Sequence, residues 1–182
     1  MALKANIAKV NLTLSNINDH YYEDYRLTLA QHPSETDLRM IIRLAAFGLF
    51  ASEGLEFTKG ISTDEEPDIW SHKATGEIEH WIDLGQPTEK RIRQSISKAE
   101  KITIVGYHKE KFSRWFKGLD KKFLAQKKLE IYFLESVGTS KPEDLVQKTM
   151  DLSCTIQEDQ MLLGNETTQV TFLIAGPLQS FG

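Results

Sequence analysis

The chain has 182 residues, 40% of them hydrophobic and 26% charged, with a formal net charge of −4. Such a length fits one domain, such a composition excludes wholesale disorder, and a lone cysteine, Cys154, excludes a disulfide framework or a CxxC metal knuckle. The longest apolar-rich stretch, 44–51, is too short to span a bilayer, and the N-terminus reads as having no signal peptide, so a cytoplasmic protein without a membrane partner is expected.

Ala8, Val10, Leu12 and Leu14 alternate with polar residues and predict a strand. Tyr25, Leu27 and Leu29 predict a second, paired with the first as a hairpin. His32-Pro33 ends it, and Ser34 with Asp37 resembles a capping box opening a helix that runs to about Ser52. That helix is apolar on most sides, as a buried helix is, except for a stripe of Glu35, Arg39 and Arg43. The stripe faces either a polar cavity or, for Glu35, simply the helix N-terminus.

Leu55 to Lys59 reads as a short strand, and Asp68 to His72 pairs with Glu77 to Leu84 around a turn at Ala74-Thr75-Gly76. Pro87 is placed in the first turn of a helix ending near Glu100. Ile102 to Tyr107 reads as a central strand. Phe112, Trp115, Phe116 and Leu119 mark a helix with an aromatic inner face, more suited to a core than to stacking on bases. A strand over Leu129 to Leu134, a helix over Pro142 to Met150 and three short strands near Leu152, Met161 and Val170 complete a mixed α/β pattern.

The hairpin register sets Asp68 opposite Asp83, Trp70 opposite Trp81 and His72 opposite Glu79. Side chains opposed in this way have Cβ atoms about 5 Å apart, and two carboxylates so close need a positive group between them. A hard divalent cation such as Mg²⁺ suits that place, with Glu35 as a third ligand. The alternatives are a slipped register or two exposed acids at the sheet ends. Charge is segregated along the chain. Residues 53–83 carry a local −7, whereas residues 109–128 carry a local +6. A polyanion could lie beside the basic segment, although separated charge is equally what solvated helix faces produce.

The order Glu66-Pro67-Asp68, then Asp83 at the end of the next strand, resembles the metal-binding core of the PD-(D/E)xK nuclease superfamily. More narrowly, the stretches LTLAQHPSET, TDEEPDIW and WIDLGQPTEKRIRQ are similar to the bacterial YaeQ family over essentially the whole chain. The resemblance implies a single restriction-endonuclease-like domain over 1–182, a mixed sheet flanked by helices, with an N-terminal hairpin and extra C-terminal strands. It implies a Mg²⁺- or Mn²⁺-dependent phosphodiesterase holding metal on Glu35, Asp68 and Asp83, with Glu66 an alternative ligand. The third motif departs from the pattern: the superfamily's acid-x-lysine is here Asp83-Leu84-Gly85. Lys90 or Arg91, on the following helix, is the candidate replacement, since helical side chains lean toward the N-terminus. Lys109, Lys111, Arg114, Lys117, Lys121 and Lys122 are candidate contacts to nucleic-acid phosphates. The alternative expectation is an inactive nuclease-fold protein that binds nucleic acid or a protein partner of the transcription or repair machinery. No GxSxG, GxGxxG, phosphate loop or HExxH spacing points elsewhere.

Overall fold

A computed structural model of the chain describes residues 4–59 and 65–181. Asp64, one of the acids counted in the acidic stretch, lies outside the described residues. Ten strands form one mixed sheet in the order β2-β1-β8-β9-β10-β7-β6-β5-β4-β3. The strands are β1 (Asn6–Asn16), β2 (Tyr21–Gln31), β3 (Glu56–Phe57), β4 (Ile69–His72), β5 (Ile78–Leu84), β6 (Ala99–Gly106), β7 (Leu129–Val137), β8 (Thr149–Gln157), β9 (Gln160–Gly164) and β10 (Gln169–Ala175). The helices are α1 (Asp37–Phe50), α2 (Glu89–Lys98), α3 (Lys109–Gly118) and a single turn, α4 (Lys121–Leu124). Among the described residues no helix is long and apolar enough to cross a membrane.

The sheet has two kinds of strand, and burial explains which sequence makes which. In β1 and β8 every second residue is buried (Val10, Leu12 and Leu14; Met150, Leu152, Cys154 and Ile156), and the others reach solvent. One face packs on α1 and the other is wet. Strands β5, β6 and β7 run parallel and are buried on both faces. Ile82, Leu84, Val105 and Leu134 join the core under α1, while Trp81, Ile102, Ile104, Ile131 and Phe133 join a second core under α2 to α4. Nearly unbroken apolar runs such as Ile102 to Val105 follow from this.

Most predicted elements are present, with local corrections. The cap of α1 is Thr36, whose hydroxyl accepts from the Arg39 amide at 3.1 Å, not Ser34. Glu35 belongs to the preceding turn, its backbone N–H donating a hydrogen bond to the His32 carbonyl at 2.8 Å. Likewise Thr88 caps α2, so Pro87 precedes the helix. The helix expected over Pro142 to Met150 is one 3₁₀ turn, Pro142–Leu145, after which β8 begins. Period-two burial from Met150 onward overrides helix propensity there. The C-terminal strands are not an appendage: β8 lies beside β1, in parallel, from Lys9↔Thr149 to Asn16↔Ile156.

At the end of β6, Gly106 lies against the Phe112 ring, and a Cβ there would overlap it. Phe112 in turn packs on Phe133 and Phe181 with ring centroids 5.0 and 4.8 Å away, so the ring has nowhere to go. Gly106→Ala is therefore expected to cost about 2 kcal/mol through overpacking, measured by urea denaturation. An unchanged midpoint would show that the aromatic cluster can yield.

Candidate functional site

The site forms where β4 begins and β5 ends, beside the entrance to α1 and the first turn of α2. Strands β4 and β5 pair as Ile69↔Ile82 and Trp70↔Trp81, and Asp68 and Asp83 are the residues that come next on the two chains. The Asp68 amide donates to the Ile82 carbonyl at 3.1 Å, one residue out of step with that register, so Asp68 as well as Ile69 lies against Ile82 and the expected direct Asp68–Asp83 pair is not part of the ladder. The expected His72–Glu79 pair is absent because a bulge after Ser71 shifts the register and sets His72 opposite Ile78. His80 stays neutral in the interior, where burial first and Lys101 second push its pKa down to about 4.

Each acid is met by an arginine. Asp83, 4% exposed, accepts two bonds from Arg91, at 3.0 Å from Nε and 2.9 Å from Nη2. The Trp81 indole donates to the same carboxylate at 2.9 Å. Arg39 bridges two acids, with Nη1 2.7 Å from Glu35 Oε2 and Nη2 2.9 Å from Asp68 Oδ1. The other Asp68 oxygen accepts from the Leu84 amide at 2.9 Å. The second oxygen of Glu35 accepts from Arg43 at 2.8 Å. Glu35 therefore does not serve the helix N-terminus; its carboxylate anchors the arginine stripe of α1.

Of the other candidates, Glu66 enters through its backbone, its carbonyl accepting from Arg91 at 2.8 Å. Lys90 points to solvent and makes no ion pair among the described residues. Arg91 thus takes the place next to Asp83 that the sequence left open between the two. Gly85 explains the missing lysine. Its φ of +87° belongs to the left-handed region, which favours glycine over any side chain. Lys109, Lys111, Arg114, Lys117, Lys121 and Lys122 are all exposed. Trp115 ties α3 to the site loop by donating to the Pro87 carbonyl at 2.8 Å, so the basic helix sits beside Gly85.

One neighbour, Tyr107, was not anticipated, and Arg43 of the α1 stripe lies deeper than the rest of it. Tyr107 follows β6 and is partly buried beside Arg39, with burial raising its phenol pKa, Asp68 and Glu35 adding, and Arg39 opposing. Its only sequence signal is an aromatic at the carboxyl end of a central parallel strand, where open α/β sheets bind ligands. Arg43 is fully buried, and among the described residues its Nε and Nη1 have no hydrogen-bond acceptor.

The donor types suit a hard cation, but their arrangement does not. The six carboxylate oxygens of Glu35, Asp68 and Asp83 already accept hydrogen bonds, and three guanidinium groups balance three carboxylates. Among the described residues no three Asp, Glu, His or Cys side chains gather closely enough to hold a metal. Mg²⁺ at Asp68 and Asp83 would have to displace an arginine.

The family model described as "YaeQ protein" matches residues 1–174. "Uncharacterized protein YaeQ" of Escherichia coli (strain K12) is 33% identical over 166 residues, 91% of this chain and 92% of the relative. Its Salmonella typhi counterpart is 33% identical over 165 residues, 91% of each chain. The crystal structure of YaeQ protein from Xanthomonas axonopodis pv. citri superposes with a TM-score of 0.87 at 33% identity, covering 98% of this chain and 99% of that one. The Pseudomonas syringae YaeQ structure, 23% identical, shares the fold with a TM-score of 0.84 over 98% of both chains.

Burial raises the Asp83 carboxyl above its ordinary value, against Arg91 and Trp81, which pull it down. Deleting Arg91 removes that pull and leaves a buried carboxylate uncompensated. Arg91→Met is expected to cost about 3 kcal/mol near neutral pH. A carboxyl whose folded pKa is raised loses stability as pH rises through it, and the variant's pKa lies higher still. The cost should therefore shrink as pH falls from neutral toward the ordinary carboxylate range, because Asp83 becomes protonated in the variant on the way. Urea denaturation across pH tests this, and a pH-independent cost would refute it.

Proposed function

This chain belongs to the YaeQ family, and we propose that it binds the phosphodiester backbone of a nucleic acid on a restriction-endonuclease-like scaffold without cleaving it. One observation carries the reading: every acid of the PD-(D/E)xK pattern is matched to an arginine at the site, where a catalytic site would leave oxygens for metal. Scaffold resemblance is supported by the order of parts. An acid at the α1 entrance, an acid heading β4 and an acid near the end of β5 are followed by α2 and parallel β6.

Affinity for phosphate would come from α3 and α4. Among the described residues, Lys111, Arg114, Lys117 and Lys121 are exposed and carry no ion pair, while Lys109 and Lys122 have surface partners, Glu135 and Asp120. Such exposed pairs contribute little and are readily exchanged for phosphate. Contacts of this type give affinity and salt dependence but no sequence specificity.

A second reading, the metal-dependent phosphodiesterase, is favoured by the nearness of Asp68 to Asp83 with Arg91 reaching Asp83 from the helix after the third motif. Mg²⁺ or Mn²⁺ would then be held by Asp68, Asp83 and Glu35, supplying an activated water and charge neutralisation. It requires Arg39 to release Asp68.

Fluorescence anisotropy with labelled single-stranded and duplex DNA and RNA, in chelator and about 50 mM salt, separates the readings. Saturable binding is expected. Lys111→Glu/Arg114→Glu/Lys117→Glu should weaken it at least about tenfold and flatten the salt dependence, each lost phosphate contact removing about 0.9 from the slope. Absence of binding at low salt refutes the proposal. Mn²⁺-dependent cleavage abolished by Asp68→Asn establishes the second reading in its place.

A further inference from the structure

Arg39 differs from the other arginines of the site in what it faces. Arg91 meets one of the three acids, Asp83, through Nε and Nη2, and that carboxylate also accepts from the Trp81 indole. Arg43 is wholly interior and meets Glu35 and the Ala30 carbonyl through one nitrogen. Arg39 instead stands between two carboxylates that come from distant parts of the chain, the α1 entrance and the head of β4. Its Nη1 takes Glu35 Oε2 and its Nη2 takes Asp68 Oδ1, the two oxygens left after Arg43 and the Leu84 amide have taken the others. Both carboxylates are nearly dry, 2% and 7% exposed in their side chains, while Arg39 is 19% exposed and open to water on one side.

We propose that Arg39 is a built-in cation standing where a divalent metal would bridge Glu35 and Asp68, so that removing it creates a metal site. An arginine cannot be deprotonated, and this one is therefore a permanent occupant. Without it, Glu35 keeps Arg43, but Asp68 keeps only a backbone amide and becomes a buried, uncompensated charge. Two inward carboxylate oxygens with solvent on one side are what Mg²⁺ or Mn²⁺ takes, the remaining positions being filled by water. The Tyr107 phenol borders the same space, where it presents a neutral oxygen and no competing cation. The inference rests on reading the site as arginine-balanced; it does not depend on nucleic-acid binding.

The test is titration with Mn²⁺ alone, free ion being followed by electron paramagnetic resonance. Wild type, Arg39→Ala, Arg39→Gln and Arg39→Ala/Asp68→Asn are compared, with circular dichroism to confirm folding. Both single variants are expected to bind one Mn²⁺ at least about tenfold more tightly than wild type, and the double variant to return to the wild-type level. Wild type binding one Mn²⁺ as tightly as the variants overturns the proposal, because Arg39 then yields to metal. Folded single variants that fail to bind overturn it too, as does binding that survives Asp68→Asn. Arg39→Gln keeps hydrogen bonds to both acids if the alanine variant does not fold. Should neither fold in chelator, Mn²⁺ must restore folding, and failure to do so also overturns it. A Mn²⁺ titration does not read nucleic-acid binding, so failure here and failure of the binding proposal remain distinguishable.

Discussion

Three carboxylates have been taken out of water at one end of a sheet, and the surrounding structure follows from what that requires. Removing one partner from such a buried pair costs several kcal/mol, because the charge left behind has no solvent to turn to. Glu35, Asp68 and Asp83 therefore fix the positions of Arg39, Arg43 and Arg91, and through them the angle at which α1 and α2 meet the strands. The Arg39 bridge between α1 and β4 ties together residues 29 positions apart, one on a helix and one at a strand head. Specificity of arrangement is what it contributes; net stability from a buried ion network is small.

This network stands where the two halves of the sheet differ most. On one side, β1, β2 and β8 to β10 carry a single core under α1. On the other, β5 to β7 are covered on both faces, which puts their carboxyl ends at a junction between α1 above and α2 and α3 below. Polar groups at such a junction meet side chains from both layers. Asp83 illustrates it: its own strand supplies Trp81, which belongs to the lower core, and the following helix supplies Arg91.

Alternation and apolar runs carried most of the fold in the sequence. Val10, Leu12 and Leu14 made β1 plain, and Trp70 opposite Trp81 made the β4–β5 register plain, which brings Asp68 and Asp83 to the same end of the hairpin. The bulge after Ser71 was invisible, because one extra residue near a turn leaves the pattern of buried residues on either side intact. The 142–150 segment was misread because Pro142, Glu143 and Asp144 start like a helix; the alternation from Met150 that claims the chain for β8 begins only afterwards. At the site, the acids and the arginine stripe were visible as residue types. Which arginine serves which acid was not, since side-chain pairing depends on distances between elements that no local pattern encodes. Tyr107 was missed for the same reason.

The parallel pairing of β1 with β8 has a consequence for how the chain comes to be folded. Partners such as Asn11 and Asp151 lie 140 residues apart, and the Asn11 amide donates to the Asp151 carboxylate at 2.6 Å. The first hairpin emerges from the ribosome long before its neighbour. Until β8 is made, Val10, Leu12 and Leu14 lack the strand that completes their side of the core, and β1 presents an unpaired edge. So large a separation between contacting residues slows folding and prolongs that exposure. The arrival of β8 is thus a chain-closing step, and a truncation before residue 149 removes the partner for which the first strand is built.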